Sequence, residues 1–162
     1  MALNAYLRLK GTKQGVIQGS STQKGREGKI VVVASNHEII APVDPASGLP
    51  TGRRQHKPFV ITKEVDKASP LLYTALVTNE QITEWELQFW HPAQTGAETQ
   101  YYTVKLTNAA IRSIQFTMAD NRNTELQRYA PYEEVSFTYQ KIEWIWTDGG
   151  ITASDDWGEL QA

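Results

Sequence analysis

The sequence predicts a mainly β protein: an antiparallel β-barrel of two packed sheets, with one flanking α-helix and one long extended loop. Apolar residues recur at every second position through most ordered stretches, the period of a half-buried strand. Only one short segment combines helical spacing with residues that start and stop a helix. Two strands also swap their apolar face midway, which happens where a strand leaves one sheet for another at a corner. A chain of 162 residues is long enough for one domain with its own core and too short for two comfortable ones, so residues 1–162 are expected to fold as a single unit.

In the first strand Leu3, Ala5, Leu7 and Leu9 alternate with Asn4, Arg8 and Lys10, which separates an apolar face from a polar one. The Gly- and Ser-containing stretch 11–28 turns the chain, with a short strand near Val16 and Ile17. Residues 30–34 are a continuous, largely β-branched apolar run and read as a strand covered on both sides. Residues 42–58 hold four prolines and two glycines, so they are expected to form one long irregular loop. A loop of that length in a compact domain is usually either functional or disordered.

Beyond it, Phe59, Ile61 and Lys63 alternate with Val60, Thr62 and Glu64 in the next strand. The helix follows, with Ser69 as its expected N-cap, Pro70 in its first turn, Leu71, Leu72, Ala75 and Leu76 on one face, and Asn79 as its stop. Trp85, Leu87 and Phe89 then alternate with Glu84, Glu86 and Gln88, and Tyr102, Val104 and Leu106 with Thr103, Lys105 and Thr107. The linker from Pro92 to Glu98 reads as a hairpin loop. Of the two strands that change phase, one passes from Ala109 and Ile111 to Ile114, Phe116 and Met118, the other from Val135, Phe137 and Tyr139 to Ile142, Trp144 and Trp146. Each switch marks a bulge or a corner. The tail from Asp148 is rich in Gly and Asp apart from Trp157.

Composition narrows the functional classes. A net charge of -2 provides no broad positive field, so generic nucleic-acid binding is not expected. The chain has no cysteine, which leaves neither disulfides nor thiolate metal ligands. The N-terminus lacks the basic region and apolar run of a secretory signal, so synthesis in the cytoplasm is expected. No apolar stretch approaches the roughly 20 residues that span a bilayer as a helix, and membrane insertion is not expected.

Motifs with an attached reaction mechanism (GxSxG, GxGxxG, HExxH, CxxC and the phosphate-binding loop) do not occur, so neither an enzyme nor a cofactor is expected. His37, His56 and His91 are isolated from one another, and no metal site is expected. Glu84 and Glu86 share a strand face; they would make a hydrolytic carboxylate pair only by converging on a cleft, and otherwise form a solvated face opposite Trp85 and Leu87. Arg53, Arg54, His56 and Lys57 form a basic cluster in the long loop, while Asp155, Asp156 and Glu159 form an acidic one near the C-terminus. The clusters are either solvated or bring one subunit's loop against a neighbour's acidic patch. Five tryptophans, Trp85, Trp90, Trp144, Trp146 and Trp157, fit core or subunit contacts better than a ligand cup. Trp157, alone in a polar tail, is expected to dock.

Several of these segments, in the same order along nearly the whole chain, resemble the Hcp family of type VI secretion. They are the opening strand Ala5-Tyr6-Leu7-Arg8-Leu9, the loop from Pro45 to Phe59 with its Arg53-Arg54-Gln55-His56-Lys57-Pro58 run, the helix from Lys67 to Leu76 with Ser69-Pro70-Leu71-Leu72, and the closing strand Tyr139-Gln140-Lys141-Ile142-Glu143-Trp144. The ending Ser154-Asp155-Asp156-Trp157 is similar to one branch of that family. The resemblance implies a homohexameric ring and stacking of rings into a hollow tube. It also implies ejection by a contracting sheath, with a spike protein at the tip and small effectors inside, and so export through type VI secretion. The loop from Val43 to Pro58 is then the expected bridge between subunits or rings, with Pro45, Ser47, Gly48, Pro50, Arg53, Arg54, His56, Lys57 and Trp157 as interface residues. A small-molecule-binding barrel and a hydrolase are the alternatives.

Overall fold

The computed structural model describes residues 3–157. Among them, β1 (Ala5–Gly11) and β2 (Gly15–Ile17) form a hairpin, and β3 (Ile30–Val32), β4 (Ala34–Asn36), β5 (Ile39–Ile40), β6 (Gln55–His56) and β7 (Phe59–Glu64) precede the helix α1 (Ser69–Val77). After it come β8 (Gln81–Pro92), β9 (Glu98–Thr107), β10 (Ala109–Thr117), β11 (Tyr132–Thr138), β12 (Lys141–Trp146) and β13 (Ile151–Asp156). All pairings are antiparallel. Eleven strands belong to one sheet, and β5 and β6 pair only with each other.

That single sheet curls until its ends meet. β1 pairs with β8, β8 with β10, β10 with β11, β11 with β7 and β7 with β4. The circle closes because β3 pairs with β1 while its continuation β4 pairs with β7. At the change of partner, Val33 donates its N–H to the carbonyl of Thr62 at 2.9 Å. The apolar run 30–34 is therefore two short strands, and Val33 and Ala34 reach the surface instead of being covered on both faces.

Both phase switches have a structural cause. The first is a bulge in β10 between Ile111 and Ser113. The second is a corner: β11 gives way to β12 at Tyr139 and Gln140, opposite the point where β9 gives way to β10 at Asn108. Asn108 adopts φ 53°, a left-handed conformation that Asn tolerates because its short polar side chain bonds locally. Gln140 N–H donates to the Thr107 carbonyl at 3.1 Å, Asn108 Nδ2 to Gln140 Oε1 at 2.8 Å, and Gln81 Nε2 to Asn108 Oδ1 at 2.8 Å. Beyond this corner β9, β12 and β13 extend the sheet as a flap. The residues of β13 lie in the Gly- and Asp-rich tail, for which no strand was expected; Gly149 and Gly150, with φ 84° and 68°, turn the chain back so that they pair.

Inside the barrel, Phe59 meets Trp85 edge to face at 5.0 Å and Trp85 meets Phe137 at 5.5 Å, surrounded by Leu7, Leu9, Ile61 and Val135. The interior around Trp85 is filled by side chains. On the outer face the register lines up Arg8, Glu86, Lys105 and Glu143 across four strands, so each charge lies beside its opposite.

α1 starts differently from expectation. Its N-cap is Ala68, without a side-chain cap bond, and Ser69 lies inside the helix and is buried. The Ser69 hydroxyl is committed elsewhere: it donates to Glu133 Oε1 at 2.6 Å and accepts from Lys63 Nζ and from the Asp66 N–H, each at 3.0 Å. Leu72 and Ala75 face the barrel, whereas Leu71 points outward. The stop at Asn79 is as expected: at φ 55° it lets Glu80 N–H reach the Ala75 carbonyl at 2.8 Å and its own N–H reach that of Leu76 at 3.2 Å, a Schellman ending. No helix of the described residues is long and apolar enough to cross a membrane.

Candidate functional site

The Pro-rich segment is an ordered arm. β5 and β6 form its root through Ile39↔His56 and Ile40↔Gln55, and a bridge from Val43 to Pro50 narrows its end. Pro45, Ser47, Gly48 and Pro50 occupy the tip. There Asp44 orders the turn, accepting the Ala46 N–H at 2.9 Å and the Ser47 hydroxyl at 3.1 Å, while Gly48 supplies φ 72° and donates to the Asp44 carbonyl at 2.7 Å. Prolines rule out a long ladder, and side-chain turns replace it. Val43 and Leu49 stand exposed at this tip, Leu49 to 65 %.

The root is clamped to the barrel corner. Tyr139 Oη lies 2.7 Å from His37 Nε2 and 2.7 Å from His56 Nδ1, and His56 Nε2 lies 2.7 Å from Asp155 Oδ2. Arg54 grips the same carboxylate with two bonds, Nε at 2.5 Å and Nη2 at 2.9 Å, and donates to the Asp156 carbonyl at 3.0 Å. Trp157 stacks on His56 with centroids 5.7 Å apart and donates its indole N–H to the Tyr139 carbonyl. Arg53 donates to the Trp157 carbonyl at 3.2 Å. Trp157 is thus docked, as expected. Four of the expected residues, Arg53, Arg54, His56 and Trp157, converge here; Lys57 pairs nearby with Glu38 at 3.2 Å.

The basic loop and the acidic tail do meet, and they do so within one chain; Glu159 lies outside the described residues. The proton positions follow from the partners. Arg54, burial and His56 act together on Asp155, and the bond from Arg54, the largest influence, holds the carboxyl below its ordinary range. As a carboxylate it accepts from His56 Nε2–H. His56 Nδ1 then accepts the Tyr139 hydroxyl proton, and the Tyr139 oxygen accepts from His37 Nε2–H. Burial, followed by the charge of Asp155, raises the Tyr139 phenol and keeps it a donor. Burial and then His56 lower the His37 imidazole, favouring its neutral form. With its side chain 1 % exposed, His56 serves this clamp as a hydrogen-bonding post. Sequence reasoning missed His37 and Tyr139. Neither carries a local motif, although a tyrosine at the end of an apolar phase signals a polar atom needing a buried partner.

Glu84 and Glu86 face Lys10 and Arg8 across the strand, with Arg8 3.2 Å from Glu84, so they belong to the outer charge ladder and do not converge on a cleft. Among the described residues no group of three or more His, Cys, Asp or Glu is placed to hold a metal. Other apolar residues remain uncovered: Leu71, Tyr73 and Val77 on the outer side of α1, and Phe116, Met118 and Tyr129 at the far end of β10 and its following loop.

The sequence and the fold as a whole are similar to those of known proteins. The family model described as "Type VI secretion system effector, Hcp" matches residues 6–146. The Major exported protein of Pseudomonas aeruginosa PAO1 is 42 % identical over 166 residues, spanning 97 % of this chain and 96 % of that protein. A crystal structure of an Hcp protein superposes with a TM-score of 0.90 at 33 % identity, covering 97 % of this chain and 99 % of its own. Hcp1 from the E. coli EAEC 042 pathovar superposes with a TM-score of 0.86 at 36 % identity, covering 96 % and 99 %. Sequence and fold agree along nearly the whole length, and the chain belongs to the Hcp family of type VI secretion proteins.

Proposed function

We propose that this chain is a structural, non-catalytic subunit of the type VI secretion inner tube. Six copies close into a ring, rings stack into a hollow conduit, and the conduit leaves the cytoplasm inside a contracting sheath with a spike protein at its tip and small effectors in its lumen. The arm carries this reading: its root is fixed by paired charges while its tip presents Val43 and Leu49 to solvent. A rigid projection with an apolar end is of no use to an isolated barrel and suits a contact with a second copy. Head-to-tail contacts between different patches generate rings when the rotation closes. In this reading Pro45, Ser47, Gly48 and Pro50 make the contact, and Arg53, Arg54, His56, Lys57 and Trp157 hold the arm in the pose that permits it. The filled interior around Trp85 speaks against the small-molecule-binding alternative. Electron micrographs and sedimentation of the purified protein test the proposal. Rings at the mass of six copies are expected, and Leu49→Asp is expected to weaken their stacking or closure. A single copy at every concentration and salt condition defeats it.

A further inference from the structure

The fold engages the carboxylate of every aspartate except Asp148. Asp44 accepts the Ala46 N–H and the Ser47 hydroxyl, Asp66 the Ala68 N–H and Lys63, and Asp120 the Arg122 N–H. Asp155 is bound by Arg54 and His56, and Asp156 by the Gln140 amide. Asp148 makes no hydrogen bond or ion pair among the described residues. It is also the only aspartate or asparagine in the chain that a glycine follows. Asp148, Gly149 and Gly150 lie exposed in the turn between β12 and β13. Gly150 N–H there donates to the Thr147 carbonyl at 3.3 Å, while Gly149 N–H has no partner among the described residues. An unbound carboxyl thus precedes an unbound amide nitrogen whose residue has no Cβ to obstruct ring closure. We propose that Asp148 is a site of spontaneous isoaspartate formation, and that the product loosens the adjoining end of the β12–β13 hairpin.

The reaction balances with water alone. The Gly149 nitrogen attacks Asp148 Cγ and a Cγ–N bond forms. The carboxyl hydroxyl and the amide hydrogen leave together as water, and a five-membered imide remains. Water then adds to one of the two imide carbonyls. Addition at Cγ restores aspartate; addition at the main-chain carbonyl carbon breaks its bond to nitrogen and leaves the chain running through Cβ and Cγ. One water leaves and one enters, so nothing is oxidised or reduced. Elsewhere the ring is hindered: Pro45 has no N–H to close it after Asp44, and Lys67, Asn121, Asp156 and Trp157 crowd the nitrogen that follows the other aspartates. Isoaspartate adds one main-chain atom to the turn. Trp146↔Ile151 and Ile145↔Thr152 are the nearest pairs, and their register is set by that turn. Asp155, at the other end of β13, is held from outside the hairpin by Arg54, so the arm root stays in place.

The test is incubation of the purified full-length protein at neutral pH over several weeks, beside a synthetic peptide of residues 145–153. An isoaspartyl O-methyltransferase with labelled S-adenosylmethionine counts the isoaspartyl carboxyls, and electron-transfer fragmentation of proteolytic peptides assigns them to positions. Asp148 is expected to gain isoaspartate several-fold faster than any other aspartate. Asp148→Glu keeps the charge but would need a six-membered ring, and is expected to reduce methyl acceptance to background. In the isoaspartyl fraction, amide hydrogen exchange is expected to quicken at Ile151 and Thr152 and to stay unaltered at the arm root, His56 and Lys57. A folded chain that remains unmodified at Asp148 while the peptide converts overturns the site. So does isoaspartate spread evenly over the aspartates, or undiminished methyl acceptance in Asp148→Glu. Unaltered exchange at Ile151 overturns the loosening of the hairpin.

Discussion

Replacing Lys63 by methionine should destabilise this protein more than any change to its surface charges. Lys63 and Glu133 are cross-strand neighbours in β7 and β11 with side chains 0 % and 1 % exposed, and their charged atoms lie 2.7 Å apart. The ammonium has three protons and three acceptors: Glu133 Oε1, Asp66 Oδ1 at 3.0 Å and Ser69 Oγ at 3.0 Å. Complete satisfaction is what allows a lysine of β7 to be buried in the barrel wall, with its ammonium beside Ser69 of α1. Lys63→Met retains the volume but leaves the Glu133 carboxylate buried with only the Ser69 hydroxyl, a cost of about 3–5 kcal/mol. At roughly 2–4 °C per kcal/mol for a domain of this size, the melting temperature should fall by about 6–20 °C. The double variant Lys63→Met, Glu133→Leu removes both charges and should recover most of the loss, since buried pairs are often replaceable by apolar residues of similar size. Thermal unfolding followed by circular dichroism at fixed protein concentration measures both. A drop below about 2 °C for the single variant, or a double variant worse than the single one, would refute the account of a buried, fully paired cluster.

Other sites yield sharp expectations. At Gly19 an added Cβ would stand 2.5 Å from Ile30 Cα and 2.6 Å from the Lys29 carbonyl oxygen; because both are backbone, Gly19→Ala should cost about 1–3 kcal/mol in a denaturant titration. Gly52→Ala meets nothing within 4 Å and should be neutral or stabilising by up to about 1 kcal/mol. Glu80 is buried under the β1–β2 turn and accepts the N–H groups of Gln14 at 3.0 Å and Lys13 at 3.1 Å, so Glu80→Ala should cost about 1–3 kcal/mol by orphaning them. Burial alone would raise the Glu80 carboxyl, yet those bonds outweigh it and the net shift is downward. Its contribution is thus full above the ordinary carboxylate value of about 4.3 and is lost as pH falls through the lowered folded value. A native melting curve that loses no more stability below pH 4 than the Glu80→Ala curve does would contradict this.

The strand pattern was legible because a core on one side of a sheet imposes a period of two. The same logic located the bulge after Ile111 and the corner at Gln140, where the pattern breaks. It also put Lys63 on the face shared by Phe59 and Ile61, although nothing local explains a lysine there. Its partner Glu133 lies 70 residues away, and alternation carries no information about which strands become neighbours. The arm was readable as irregular from its prolines, and its hairpin pairing was not, since two residues per strand leave no period to detect. Ser69 misled as a cap because the hydroxyl that caps a free helix is drawn here to Lys63 and Glu133.

By itself the sequence determined most of the strands, the one helix and the family, because turn residues, apolar periods and the Pro-rich and Ser-Pro-Leu-Leu segments act over a few residues each. Only the tertiary structure decided that the sheet closes through the partner change at Val33, that Arg54 meets Asp155 of its own chain, and that two histidines share Tyr139. Those are contacts between groups up to about 100 residues apart in sequence, fixed by packing of the whole barrel and not by any stretch of the chain.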